Sequence, residues 1–361
     1  MKKLRAFLIN LSASILVTLV FLIVLEVIFR FVAPQDLSGS WRTISDKGYM
    51  LNKASWESRH ELRGKVAHYK FNKFHQRAAE VNHDRFKVLT LGDSYTFGWL
   101  LEEDKTYTGL LQTYSDAEIG KDKIQVLNSG AGGWGLADFY EYLAEFGDSV
   151  KPSMVVVYFN ADDIGRSLNR AKFFNPNSKG ANLKKKFNDS KTYQWFLEHS
   201  HLVQWVRNRL VNMSQANQPA KPEQTKVTEP GALVLPGSEI NAAESDKGVA
   251  LAKELFGKIN DWCKQRRISL VVTTTGWHFN TGNNLQDPEA KFLKEAPSFF
   301  AQLDSVPFKD ITPMVVKAMN GSDKKEYIIP GDYHPNEKGA QLIAKFSWDF
   351  IKPVIVRQSS K

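Results

Sequence analysis

Apolar and polar positions follow several different periods along this chain, and each period predicts a different element. Between Ala6 and Leu25, AFLINLSASILVTLVFLIVL, no charge interrupts the apolar run. About 20 such residues carry a helix across the hydrocarbon layer of a bilayer. Only Glu26 and Arg30 follow before the run ends at Pro34. From Asp36 to about Arg85 the chain is polar, rich in Lys, Arg and His, and shows no sustained period, which predicts a stalk packing partly on the domain C-terminal to it. FKVLTLG (Phe86 to Gly92), IQVLN (Ile124 to Asn128), SMVVVYF (Ser153 to Phe159) and ISLVVTTT (Ile268 to Thr275) read as four buried strands, with a short fifth at about Glu326 to Ile329. Leu136, Phe139, Tyr140, Leu143 and Phe146 share one helical face, and further helices are expected at about Val249 to Arg266 and Asn336 to Ile351. Strands alternating with helices predict an α/β fold, a parallel sheet covered on both faces. Asn212 to Gly248 has the Pro, Gln, Ser, Thr and Lys content of a mobile loop, but the strand after it must rejoin the same sheet. The organisation expected is an anchor over 1–34, a stalk or N-terminal extension over 35–85, and one domain over 86–352 with a flexible insertion at about 212–248.

Composition refines this picture. With 361 residues and 42% hydrophobic content the chain can bury a sizeable core. Lys2, Lys3 and Arg5 precede the apolar run. Excess positive charge stays in the cytoplasm, so everything after Pro34 is expected outside it, in the periplasm or at the surface of a bacterium. A cleaved signal peptide, giving a secreted protein, is the alternative; its apolar core is usually only about 7 to 15 residues, and no clear A-x-A site ends this run. The single cysteine, Cys263, excludes an internal disulfide, and its helical spacing with Leu255, Phe256, Ile259 and Trp262 predicts a buried thiol. A net charge of +9 suits an anionic membrane surface or an acidic polymer. Neither zinc-ligand spacing nor an RNA-binding signature accompanies that charge, so no metal, cofactor or nucleic acid is expected. The basic run Lys184 to Lys186 reads as a solvated loop.

Chemistry concentrates at predicted strand ends. In open parallel sheets ligands bind beyond the carboxyl ends of the strands, and Ser94 in LTLGDSYTFGW lies just past the first. A serine hydroxyl needs a base to become a nucleophile. IPGDYHPNEKGAQLIA offers His334 in a turn before the final helix, with Asp332 two residues earlier. A carboxylate, an imidazole and a serine are the parts of an acyl-transfer site. Asp93 reads as a residue that caps the turn. Tyr95, Trp99, Trp134 and Trp277 are candidates either for stacking on a sugar ring or for packing, and His278 for the site or for the surface.

With these blocks the chain resembles the SGNH hydrolases, the GDSL-type esterases, over roughly Phe86 to Ile351. The first block is matched by Gly92, Asp93 and Ser94, the glycine block by NSGAGGWG, and the last by DYHPN. The resemblance implies a three-layer α/β/α, flavodoxin-like sheet. It implies Ser94 as nucleophile, His334 as base, and the Ser94 and Gly133 N–H groups as oxyanion donors. Two departures stand out. The family's usual D-x-x-H spacing would place the acid at Gly331, so the acid becomes Asp332 in a D-x-H arrangement, or else Asp332 is a turn cap. The family's G-x-N-D block is NADD here, which puts Asp162 in the register of the oxyanion asparagine and leaves Asn160 as the neighbouring amide. The function expected is a serine esterase acting on acyl esters, acetyl esters among them, of a small molecule or polysaccharide outside the cytoplasm. An O-acyltransferase on envelope or exported polysaccharide, or a non-catalytic carbohydrate-binding module, are the alternatives.

Overall fold

In a computed structural model of the chain, residues 2–160, 162–173, 189–216, 242–276 and 287–359 are described. Helices and strands follow in the order α1 (Lys2–Val32), β1 (Arg42–Ile44), β2 (Met50–Asn52), β3 (Trp56–Leu62), β4 (Lys65–Phe71), β5 (Phe86–Leu91), α2 (Ser94–Phe97), α3 (Tyr107–Glu118), β6 (Ile124–Asn128), α4 (Leu136–Val150), β7 (Met154–Phe159) and α5 (Asp163–Phe173). The chain continues through α6 (Lys191–His199), α7 (His201–Ala216), α8 (Ala242–Gln265), β8 (Ser269–Thr274), α9 (Pro288–Gln302), β9 (Phe308–Lys309), α10 (Thr312–Met319) and α11 (Glu337–Ser359). Two compact units emerge. Among the described residues, one takes 2–40, 58–66 and 189–216, and the other the rest.

In the first unit, α1 is long and apolar enough to cross a membrane, and among the described residues none of its most apolar window is buried. Its one acidic residue is put to use. Glu26 accepts from Ser200 Oγ at 2.7 Å and from the N–H groups of His201 at 3.1 Å and Leu202 at 3.0 Å. The first N–H groups of a helix have no partner within it, so Glu26 supplies two of them at the start of α7. One turn on, Phe29 meets Trp205 edge to face at 5.1 Å.

The second unit is built on a five-stranded sheet in the order β6-β5-β7-β8-β9, every neighbouring pair parallel. All six residues of the central β7 are buried, as an apolar run covered on both faces demands. Successive side chains go to opposite layers. Leu89, Leu91, Val155 and Val157 pack with α4, α8 and α9, whereas Val88, Met154, Val156 and Tyr158 pack with α3, α10 and α11. The architecture is therefore three-layered, with the flavodoxin-like strand order, and chain direction across the sheet reverses between β5 and β7. Ligand crevices form at such a reversal, outside the carboxyl ends of the strands.

Three expectations are revised. The fifth strand is Phe308–Lys309; Glu326 falls in a 3-10 turn, Lys324–Tyr327, and Ile328 makes only an isolated bridge to Pro335. Residues after Trp41 are not without period: β4 buries Ala67, Tyr69 and Phe71 alternately. With Trp41 and Phe97 these form a third apolar cluster. The helix read from Val249 begins at Ala242, inside the span read as insertion. Residues 217–241, Lys184 to Lys186, Trp277 and His278 lie outside the described residues.

Candidate active site

β5 delivers the chain to Gly92 at its carboxyl end, and Asp93 then caps the short α2 by accepting from Tyr95 N–H at 2.9 Å. Asp93 is fully buried. Its other oxygen accepts from Asn160 Nδ2 at 3.0 Å and from Arg166 Nη1 at 2.8 Å. Asn160 directly follows β7, the neighbour of β5, so the Asp93 carboxylate joins the ends of two adjacent strands. This fits its reading as a residue that orders the turn, although the sequence gives no sign of the neighbours that hold it.

Ser94 comes next, largely buried. His334 Nε2 lies 2.8 Å from Ser94 Oγ, and His334 Nδ1 lies 2.5 Å from Asp332 Oδ1. With the proton on Nδ1, the ring donates to the carboxylate and Nε2 is free to accept from the serine hydroxyl. The shortened D-x-H spacing works because the loop is tight. Asp332 N–H donates to Ile329 O at 2.9 Å, Ile329 N–H donates to His334 O at 2.9 Å, and Gly331 turns the chain at φ +72. Asp332 Oδ1 also accepts from the backbone N–H of His334 at 2.8 Å. Burial alone would raise the Asp332 carboxyl; the hydrogen bonds from His334 outweigh it and hold Asp332 below its ordinary value.

The imidazole is bounded by aromatic rings. Tyr95 lies 5.0 Å from it and Trp99 stacks on it at 5.5 Å, both rings partly exposed. Of the other aromatic candidates, Trp134 is a core residue, buried among Leu136, Phe139 and Tyr142, with its indole N–H on Met50 O.

The residues expected to form an oxyanion site divide in two kinds. Gly133, at φ +85, occupies backbone space that a side chain rarely adopts, and no acceptor among the described residues takes its N–H or that of Ser94. The asparagine block is different. Asn160 is held on both sides, donating to Asp93 and accepting from Thr275 Oγ1 at 2.7 Å. Asp162 stands at φ +76, its Oδ2 3.5 Å from Arg166 Nη2. Burial pushes its carboxyl up to about 6; Arg166 opposes this, and the charges of Asp93 and Asp287 reinforce it. Asp163 is fully buried, accepts from Asn160 N–H at 2.7 Å, and is pushed well up by that burial and by Asp93. Glu289, buried against the N–H groups of Ile164 and Gly165, is pushed up as well, chiefly by desolvation. One guanidinium, Arg166, thus serves three carboxylates within 4 Å.

Sequence reading missed two arginines here. Arg166, on α5 four residues past Asp162, ties Asp93 to Trp134 O at 3.1 Å. Arg77 is fully buried and donates to Phe97 O at 2.9 Å and Gly98 O at 2.8 Å, gripping the carbonyls at the end of α2 while its guanidinium lies 4.5 Å from the Tyr69 ring. The available signal was weak: each is one arginine among 48 Lys and Arg.

The profile of the GDSL-like lipase/acylhydrolase family matches residues 90–342. No curated protein matches the chain. Among solved structures, the psychrotrophic esterase EstA from Pseudoalteromonas is 12% identical over 75% of this chain and 98% of its own, with a TM-score of 0.42. A mutant of Axe2, an acetyl-xylooligosaccharide esterase from Geobacillus, is 12% identical over 75% of this chain and 96% of its own, at 0.43. The acetyl xylan esterase AlAXEase is 14% identical over 73% and 98%, also at 0.43.

Proposed function

This chain belongs to the GDSL-like lipase/acylhydrolase family and is an ester-bond hydrolase, and we propose that it works by a serine mechanism on acyl esters outside the cytoplasm. Ser94 Oγ attacks the acyl carbonyl while His334 Nε2 takes its proton. Collapse of the tetrahedral intermediate expels the alcohol, which receives that proton, and leaves an acyl-serine. Water then attacks with His334 again as base, releasing the carboxylic acid and restoring Ser94. Asp332 keeps the imidazole in the tautomer both steps need. The N–H groups of Ser94 and Gly133 face the developing oxyanion, and the third donor is protonated Asp162, with Asn160 as the amide that replaces it if Asp162 turns away.

The observation that carries this reading is the unbroken run from Ser94 Oγ through His334 to Asp332, at 2.8 and 2.5 Å. Partly exposed Tyr95 and Trp99 beside the imidazole suit a sugar ring bearing a small acyl group such as acetyl. The apolar helix α1, with Lys2, Lys3 and Arg5 before its uncharged stretch, supports a single-pass anchor with the catalytic unit outside the cytoplasm. Hydrolysis of p-nitrophenyl acetate is the test. Ser94→Ala and His334→Ala each abolish it at unchanged melting temperature, and Asp332→Ala lowers it by about 10³- to 10⁴-fold. Full activity in Ser94→Ala would overturn the mechanism.

A further inference from the structure

Arg42, the first residue of β1, is exposed, yet its guanidinium is held in place. Its carbon lies 5.7 Å from the ring centroid of Trp41 and 5.6 Å from that of Trp99. Trp99 in turn stacks on His334 at an interplanar angle of 28°, so the same indole ring touches both the guanidinium and the proposed catalytic base. On another side lies the glycine loop. A Cβ at Gly132 would come within 2.9 Å of Arg42 Nη2, so the absence of a side chain there leaves the guanidinium its space, one residue before the proposed oxyanion donor Gly133. Among the described residues, no carboxylate comes within 4 Å of Arg42, in contrast to Arg166, which has three.

A guanidinium packed against indole rings loses part of its hydration but none of its charge, and its planar fork of donors matches a carboxylate or phosphate. Inside a protein such a fork is usually answered by an acid; here it shares the Trp99 ring with the proposed catalytic base, and no carboxylate among the described residues answers it. The chain's net charge of +9 acts in the same direction, drawing anionic polymers toward it.

We infer that Arg42 is a substrate-binding residue that takes an oxyanion, carboxylate or phosphate, carried on the same sugar as the scissile ester or on the one next to it. The inference rests on the esterase reading and narrows its substrate to acyl esters of acidic saccharides.

Two matched pairs of substrates test it on the full chain: an O-acetylated methyl galacturonoside against its carboxyl methyl ester, and O-acetyl glucose 6-phosphate against O-acetyl glucose. The readout is the ratio of kcat/KM within each pair, so any general loss of activity in a variant cancels. A charge-assisted hydrogen bond at a partly exposed site is worth about a tenfold preference for the anion, expressed mainly in KM and weakened by salt. Arg42→Ala brings the ratio to about one, Arg42→Lys keeps part of it, and Arg42→Glu inverts it. Preference in the first pair assigns a carboxylate, and in the second a phosphate. A ratio of about one in both pairs for the wild type, or a preference that survives Arg42→Ala, would overturn the inference while leaving the esterase intact. If no ester is turned over and Ser94 resists acylation, the esterase reading fails and takes this inference with it.

Discussion

Replacing Asp162 by asparagine restores an amide where the NADD block has an acid, and the effect depends on pH in a way that can be worked from the site. The backbone tolerates the change: φ is +76 at this position, a region that Asn enters as readily as Asp. Burial holds the Asp162 carboxyl at about 6, with Arg166 pulling down and Asp93 and Asp287 pushing up. At pH 5 about nine carboxyls in ten are protonated and can donate to the oxyanion; at pH 8 about one in a hundred can. The amide donates at every pH. The turnover of Asp162→Asn relative to wild type should therefore rise from about unity at pH 5 to about 100-fold at pH 8, within the range of about 10²- to 10³-fold expected for one such donor. Initial rates with a fluorogenic acetate ester across this pH range provide the assay. Stability gives an independent readout. The folded value lies above the ordinary 3.8, so ionising Asp162 is a cost absent below that pH and fully present above about 6. Two units of difference correspond to about 3 kcal/mol, reduced to about 1–2 by solvent screening of a partly exposed carboxyl. Asp162→Asn should melt higher than wild type at pH 8 and equally at pH 4. A rate ratio that stays flat with pH would refute the placement of Asp162 at the oxyanion. If in addition Asn160→Ala abolishes activity without loss of stability, the donor is Asn160.

Two further outcomes test the surroundings. Arg166→Met leaves Asp93 and Asp163 buried without their counter-charge and should destabilise the protein by about 3–5 kcal/mol in denaturant titrations at neutral pH. That loss should shrink in acid, where Asp163, already pushed up by burial, takes a proton. If α1 is an anchor, the protein stays with membranes through an alkaline wash and keeps its first residues; a mature N-terminus beyond about Pro34 would replace the anchor by a signal peptide.

Much of this arrangement was legible because it is carried by strong local patterns. IQVLN matched β6 to the residue, and β5, β7 and β8 came within a residue or two, since buried parallel strands are uninterrupted apolar runs. β9 was missed because two residues, Phe308 and Lys309, carry no period, while EYII at 326–329 imitates a strand and contributes only the bridge beside the His334 loop. The alternation Ala67, Tyr69, Phe71 was present in KVAHYKF but hidden among basic residues that turn outward. For the site, the Ser94 block was legible at the carboxyl end of β5, and His334 and Asp332 from DYHPN ahead of α11, although the strand expected before that block is only a bridge. Arg77, Arg166 and Arg42 were not, since what sets them apart from other arginines is what each one touches: bare carbonyls, three carboxylates, two indole rings. Contacts of that kind depend on tertiary placement and leave no spacing in the sequence.

The proposed mechanism makes Ser94 a nucleophile activated by His334. A fluorophosphonate reacts with a serine only where a base and an oxyanion site prepare it, and it reports that state without any knowledge of the natural substrate. Labelling of the full chain followed by peptide mass mapping should place one phosphonate adduct on Ser94, abolished in Ser94→Ala and strongly slowed in His334→Ala. An unlabelled wild-type protein, or an adduct on another serine that persists in Ser94→Ala, would contradict the account.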